Sequence, residues 1–233
     1  MREAAIVSTA RTPIGKAYRG AFNNLEAPTM AGYAIRAAVE RAGIDAAEVD
    51  DCIMGAALQQ GSTGYNIGRQ AGLAGGLPTS VAGMSIDRQC SSGLMSIATA
   101  AKQIIDDNMG PIVAGGLEQI SLVQNEHANQ FRNTDPRVVE VHPHLHMPMI
   151  DTAETVANRY GVSREAQDEY GLQSQMRTAA AQQAGRFDDE IIPITADKIV
   201  VNRETGEQSI QSVTLSKDEG NRPDTNLDGL SGL

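Results

Sequence analysis

The sequence predicts an α/β protein built on a mixed, largely parallel sheet. Over residues 1–120, short apolar runs alternate with alanine-rich segments of helical periodicity, a pattern typical of repeated βαβ units. The alternation stops near residue 121, where a polar stretch with three prolines begins. A stretch of this length without periodic elements is usually functional or leaves the compact fold. We therefore expect two parts, residues 1–120 and residues 121–233.

The first part is expected to contain four strands and three helices, because its apolar residues recur with the periods of these structures. The apolar runs that predict strands are residues 4–8, 53–58, 81–86 and 112–116. The segments with helical spacing are residues 29–42, 66–74 and 94–105. Thr29 is expected to cap the first helix, and Gly43 is expected to end it.

The second part is expected to combine helices with short strands. Helices are predicted at residues 152–160 and 163–184, each followed by a glycine, and short strands at residues 191–194 and 199–202. All four histidines lie between residues 122 and 150, and an extended backbone would place His142, His144 and His146 on one side. No carboxylate or cysteine is placed to complete a metal shell, so we predict no metal site.

A cysteine stands at the junction of the third predicted strand and the third predicted helix. The junction reads Ser85-Ile86-Asp87-Arg88-Gln89-Cys90-Ser91-Ser92-Gly93-Leu94. We expect Cys90 in the first helical turn, where unpaired N–H groups and the helix dipole favour an anion such as a thiolate. A buried structural cysteine is the alternative, because free cysteines are commonly buried.

The other cysteine, Cys52, has different surroundings. It lies at the start of a predicted strand, next to Asp50 and Asp51. Neighbouring carboxylates would raise the pKa of its thiol, because they disfavour a second negative charge. We therefore interpret Cys52 as structural.

Composition excludes several classes of protein. The formal net charge of −10 argues against a nucleic-acid-binding protein, because such proteins carry a basic excess. No apolar run approaches the ~20 residues that a membrane-spanning helix needs, and Met1-Arg2-Glu3 does not resemble the start of a signal peptide. Two cysteines provide no disulfide framework, so a reducing, cytoplasmic location is expected.

Five motifs, in the same order along the chain, resemble those of the thiolases. The segment around Cys90 resembles their nucleophile pattern N-x-x-C-x-S-G, with Asp87 where that family usually has asparagine. The other four are residues 10–15, 114–118, 152–157 and 163–168. The resemblance implies a thiolase-like fold in which residues 1–120 are the nucleophile domain, the first βαβαβ half. Residues 121–233 would be the inserted loop domain that covers coenzyme A.

The resemblance also implies an activity, acyl-CoA C-acyltransfer in fatty acid metabolism, including β-oxidation. Cys90 would attack a 3-ketoacyl-CoA and carry the acyl group to coenzyme A, with no covalently bound cofactor. Arg222, in the segment Asp218-Glu219-Gly220-Asn221-Arg222-Pro223, matches an arginine that contacts the coenzyme A nucleotide. His146 and Met147 match a pair that lines the coenzyme A pocket.

Three thiolase segments do not occur in these 233 residues: G-H-P, C-x-G-x-G and N-E-A-F. They supply the activating histidine, the second cysteine and an oxyanion-hole ligand. We therefore expect a complementary C-terminal thiolase half as a partner, together with assembly into a homodimer or homotetramer.

Two other interpretations remain open. One is a non-catalytic, thiolase-like module that binds acyl-CoA, although such a carrier does not need a thiol at a helix start. The other is the related ketoacyl synthases, but residues 115–118 and 163–168 fit the thiolases better.

Overall fold

A computed structural model describes residues 2–233, which form two compact units. One unit contains the chain up to Ala128 together with Asp189–Gly220, and the other contains Asn129–Asp188 together with Asn221–Leu233. The chain therefore passes between the units three times. The functional division at residue 120 stays a prediction, since the compact units do not follow a single boundary.

The first unit is built on a three-stranded parallel sheet, which confirms the predicted fold class. Its strands are β1 (Asp51–Gly55), β2 (Ala82–Ile86) and β3 (Ile112–Gly116), in the order β2-β1-β3. Every residue of the central strand β1 is buried. In the register, Gly55 pairs with Ile86 on one side and with Gly116 on the other. All three strands therefore end at the same edge of the sheet, where α/β folds commonly bind ligands.

Three helices accompany this sheet, close to their predicted positions, but the predicted cap at Thr29 is wrong because the first helix already begins at Ala27, after Glu26. They are α1 (Ala27–Ala42), α2 (Ile67–Ala74) and α3 (Ser92–Asp106). Gly43 ends α1 in the left-handed conformation at φ +69°, which a residue without a Cβ adopts readily. The Asn66 side chain caps α2 by accepting a hydrogen bond from the backbone N–H of Arg69. The core of this unit is aliphatic and includes Ile35, Val39, Met54, Ile67 and Leu77.

The short strands predicted at residues 191–194 and 199–202 are in fact one longer strand. β4 (Ile194–Val201) pairs antiparallel with β5 (Gln208–Leu215). One face of this hairpin packs Ile194 and Ala196 against Phe22, within the first unit. β5 was not predicted because its exposed face is polar, so it contains no continuous apolar run.

The strand predicted at residues 4–8 is not formed. Ile6 and Val7 are about three-quarters exposed, and no strand in the described part of the chain pairs with them. A strand needs a partner for its backbone hydrogen bonds, and an apolar run alone does not provide one.

The remaining α-helices lie in residues 120–231. The first unit contains the short α4 (Ile120–Val123), and the second contains α5 (Pro136–Val141), α6 (Met149–Tyr160), α7 (Arg164–Gln183) and α8 (Leu227–Ser231). The two predicted helices α6 and α7 are confirmed, and Gly161 and the Ser163 N-cap mark their ends. Helix α5 was not predicted. Among residues 2–233, no helix has the length and hydropathy that crossing a membrane would require.

Candidate active site

Cys90 lies on a tight turn between the end of β2 and the start of α3, and its side chain is exposed. Helix α3 starts at Ser92 with Ser91 as its N-cap, so Cys90 precedes the cap. The prediction that Cys90 lies in the first helical turn is therefore wrong by two residues. The cause is Gln89, whose φ of +48° reverses the chain and delays the helix.

Short polar side chains hold this turn, which we call the elbow (residues 87–92). The Asp87 carboxylate accepts a hydrogen bond from the Gln89 N–H at 2.7 Å, as an asparagine at this position would also do. The Ser92 hydroxyl accepts from the Arg88 N–H at 2.8 Å and donates to the Gln89 carbonyl at 2.6 Å. These three hydrogen bonds fix the backbone around Gln89, the residue with the positive φ, and none of them uses the sulfur of Cys90.

Small residues let the elbow lie directly on the sheet. A Cβ placed on Gly55 would come within 2.2 Å of the Ser92 carbonyl carbon, and one on Gly116 within 2.8 Å of the Gly93 Cα. The buried Ser96 hydroxyl lies 2.5 Å from the Gly115 carbonyl oxygen, to which it can donate. The first turn of α3 is therefore packed backbone to backbone against the ends of β1 and β3.

Glu118 follows β3 at this same edge of the sheet. One of its carboxylate oxygens accepts a hydrogen bond from the Ala57 N–H at 2.9 Å, while the other is buried without a hydrogen-bond partner in the described part of the chain. Sequence reasoning noted Glu118 only as part of a motif and gave it no role. Its contact joins the loop after β3 to the loop after β1.

Cys52 differs from Cys90 in its exposure to solvent. It is fully buried in β1. Burial raises the pKa of its thiol to about 12, and the charge of Asp51 contributes in the same direction. The predicted direction is confirmed, although burial outweighs the neighbouring acid.

Arg222 lies in the second unit on an exposed loop that is anchored to α7. Its backbone N–H donates to the Gln175 side-chain oxygen at 2.8 Å, and the neighbouring Asn221 amide donates to the same oxygen at 3.0 Å. Within residues 2–233, the structure gives the Arg222 guanidinium no hydrogen bond or ion pair. The side chain therefore remains available for a ligand.

The start of the same segment is fixed in the first unit. The Arg11 guanidinium binds both carboxylate oxygens of Asp218, at 2.8 and 3.0 Å, and also contacts Glu190 at 2.7 Å. Burial alone would raise the pKa of Asp218, but the hydrogen bonds from Arg11 and from the Ile14 N–H outweigh it and lower that pKa. Two motifs that are 207 residues apart in sequence, around Arg11 and around Asp218, therefore form one ionic clamp.

His146 and Met147 also lie in the second unit. The backbone forms two successive turns here. In the first, the Leu145 N–H donates to the His142 carbonyl, and in the second, the Met147 N–H donates to the His144 carbonyl. His146 is exposed and Met147 is half-buried. The backbone is folded here, so the alternating histidines do not share one side of an extended strand. Cys90 belongs to the first unit and the three predicted coenzyme A contacts to the second.

Comparison with known proteins gives one consistent result. The family described as "Thiolase, N-terminal domain" matches residues 4–233. The chain is 37% identical to a 3-ketoacyl-CoA thiolase of Bacillus subtilis and 38% identical to an acetyl-CoA acetyltransferase of Cupriavidus necator. In both cases the match covers 100% of this chain and 59% of the relative.

A solved structure shows the same relationship. The acetyl-CoA acetyltransferase of Bacillus anthracis superposes with a TM-score of 0.80 at 36% identity, over 100% of this chain and 58% of that protein. The chain thus spans about three-fifths of the length of these relatives. Together with the elbow at Cys90 and the parallel sheet beneath it, these matches show that the chain belongs to the thiolase family.

Proposed function

We propose that Cys90 is the nucleophile of a thiolase-type acyl transfer between a 3-ketoacyl-CoA and coenzyme A. One observation carries the proposal: the only exposed thiol of the described chain sits at the carboxyl edge of a parallel sheet, directly before a helix N-terminus. Unpaired N–H groups at such a helix end favour an anion. The non-catalytic carrier gains no support, because it has no use for this exposed sulfur.

The reaction proceeds in two balanced steps. The Cys90 thiolate attacks the 3-keto carbon, and the bond between C2 and C3 then breaks. The electron pair of that bond goes to C2, which takes up a proton and leaves as acetyl-CoA. Coenzyme A then gives up its thiol proton, and its sulfur attacks the Cys90 thioester, accepts the acyl group and releases the Cys90 thiolate. The proton released here balances the one that C2 took up in the first step. Two acyl transfers need no oxidant or reductant.

The Cys90 turn can stabilise the charge that develops in each step. A tetrahedral intermediate carries its negative charge on the former carbonyl oxygen, next to the attacked carbon. We propose that the backbone N–H of Cys90 donates to that oxygen. The tight bonding of the elbow matters here, because a donor that is already oriented does not have to reorganise during the reaction.

The proton transfers require groups that these residues do not provide. We propose that a complementary C-terminal thiolase half supplies the activating histidine and the second cysteine. The exposed apolar side chains on α3 support this proposal, since Leu94 is 71% exposed and Ile97 and Ile105 are more than a third exposed. We also propose that the protein assembles into a homodimer or homotetramer in the cytoplasm and acts in fatty acid metabolism.

The second unit is proposed to hold coenzyme A through Arg222, His146 and Met147. An exposed guanidinium suits phosphate groups, because its planar array of donors matches phosphate oxygens. The half-buried thioether of Met147 and the neighbouring imidazole provide a mixed apolar and polar surface for the rest of the ligand.

Trapping the acyl-enzyme tests this function. The thiolase that contains these residues is mixed with acetoacetyl-CoA, quenched in acid, digested and mapped by mass spectrometry. We expect one acetyl group on the peptide with Cys90, and none in a Cys90→Ser variant that is otherwise folded. Acetylation of Cys52, or of neither cysteine in a protein that turns over its substrate, would contradict the proposal.

A further inference from the structure

We propose that Gln175 of α7 is a positioning residue that presents Arg222 to a phosphate group of the bound coenzyme. The inference rests on the proposed ligand role of Arg222 and adds a residue to which no role was assigned from the sequence. Gln175 lies 47 residues before Arg222 in the chain, and the two meet only in the folded second unit.

The contacts between the two segments converge on one side chain. The Gln175 side-chain oxygen accepts hydrogen bonds from the Arg222 N–H at 2.8 Å and from the Asn221 amide at 3.0 Å. The same Asn221 amide also lies 2.9 Å from the Gln175 backbone oxygen. An amide oxygen has two lone pairs, so the Gln175 oxygen is fully used. The loop is thereby fixed to a helix of 20 residues.

Only the backbone of Arg222 is restrained by these bonds. Its carbonyl oxygen accepts a hydrogen bond from the Thr225 hydroxyl at 2.8 Å, so the backbone N–H and the backbone carbonyl of Arg222 are both held. Its guanidinium, in contrast, has no partner among residues 2–233 and is exposed. An arginine that merely stabilised this loop would use its charged group within the protein. A fixed backbone with a free guanidinium instead suits capture of an external anion, and phosphates are the anions of coenzyme A.

Fixing the backbone lowers the entropy that binding must overcome. A mobile loop would have to be ordered when the ligand arrives, and that ordering reduces affinity. Gln175 is half-buried and pre-orders the loop in the absence of ligand. Its removal should therefore weaken binding even though it does not contact the ligand itself.

The experiment compares Gln175→Met with a matched variant, Gln173→Met. Methionine keeps the length and helix propensity of glutamine and removes the hydrogen-bond acceptor. Gln173 lies on the same helix but contacts the Arg177 guanidinium instead of the loop. Coenzyme A binding is measured by isothermal titration calorimetry for these variants, for Arg222→Ala and for the double variant Gln175→Met/Arg222→Ala. Circular dichroism melts confirm that each is folded.

We expect Arg222→Ala to weaken coenzyme A binding by about tenfold and Gln175→Met by about fivefold, the scale of one hydrogen bond. Gln173→Met should bind as the parent does. The double variant should bind no more weakly than Arg222→Ala, because Gln175 acts through Arg222.

Two results would overturn the inference in different ways. If Arg222→Ala binds coenzyme A normally, the proposed ligand role of Arg222 fails, and the positioning role fails with it. If Arg222→Ala weakens binding while Gln175→Met does not, or if their effects multiply in the double variant, only the positioning role of Gln175 is wrong.

Discussion

The close packing of the Cys90 elbow on the sheet makes Gly55→Ala an informative substitution. The added methyl group would lie 2.2 Å from the Ser92 carbonyl carbon and 2.6 Å from the Gly93 nitrogen, whereas ordinary contact begins at 3.4 Å. Both atoms belong to the backbone, so no side chain can rotate away. The end of β1 and the start of α3 must therefore separate by roughly 1 Å.

We expect this separation to have two measurable effects. Overpacking a tight core costs ~1–3 kcal/mol, and a clash with three backbone atoms of Ser92 and Gly93 places this variant at the upper end of that range. Urea unfolding followed by circular dichroism measures that loss in the free energy of unfolding. The displaced elbow should also change the rate at which iodoacetamide alkylates Cys90, which mass spectrometry follows.

Gly220→Ala is the matched control. A Cβ at Gly220 would meet no atom within 4 Å, and neither glycine has the positive φ that would strain an alanine. This variant should stay within ~0.5 kcal/mol of the parent, the usual range for open surface positions. If Gly55→Ala is equally stable and leaves Cys90 alkylation unchanged, the packing of the elbow against β1 is not the constraint argued above.

The remaining predictions concern the cysteines, the ionic clamp and a helix cap. Limiting iodoacetamide at neutral pH should label Cys90 and spare Cys52, because a thiol pKa of about 12 leaves almost no thiolate; labelling of Cys52 in folded protein would overturn this assignment. Asp218→Asn should lower the free energy of unfolding by ~1–3 kcal/mol near pH 7. Because the pKa of Asp218 is lowered in the folded protein, its contribution to the free energy of unfolding is fully present above the pKa of the unfolded carboxyl. That contribution is lost as the pH falls through the pKa of the folded carboxyl. Urea unfolding near pH 3 should therefore show a smaller difference in stability between Asp218→Asn and the parent. A stability difference between Asp218→Asn and the parent that stays constant with pH would show that the ion pair with Arg11 is not its cause. Ser163→Ala should cost ~1 kcal/mol in thermal or urea unfolding, since its hydroxyl caps α7, while Ser174→Ala inside that helix should be nearly neutral; equal effects would refute the capping role.

The parts of the fold that the sequence predicted are those governed by local periodicity and by capping residues. Helix α1 ends at Gly43 and α7 begins after Ser163, as expected, because these residues satisfy helix ends through their own backbone or side chain. The strand at residues 4–8 was predicted and is not formed, because its apolar run lacks a pairing partner among the described residues. Strand β5 was missed for the opposite reason: its partner exists, but its own pattern is polar.

The candidate site shows a similar limit. The position of Cys90 between a strand and a helix was predicted from local pattern, but the exact helix start was not, because a positive φ at Gln89 is not indicated by residue type. The clamp between Arg11 and Asp218 joins residues 207 positions apart, and the anchor from Gln175 to Arg222 joins residues 47 apart. Contacts of this kind form only in the folded tertiary structure, and they produce no periodic pattern of residues in the sequence.

The elbow is held by the side chains of Asp87, Ser91 and Ser92, and the sulfur of Cys90 takes no part in its hydrogen bonds. The hydrogen bonds that shape the turn are therefore independent of the thiol that it exposes. Under the proposed function, a single codon change from cysteine to serine or alanine would remove the nucleophile and leave the scaffold intact. On that proposal, a thiolase that forms an acyl-enzyme and a non-catalytic relative that only binds the ligand can differ by one substitution, so catalysis can be gained or lost without loss of the fold.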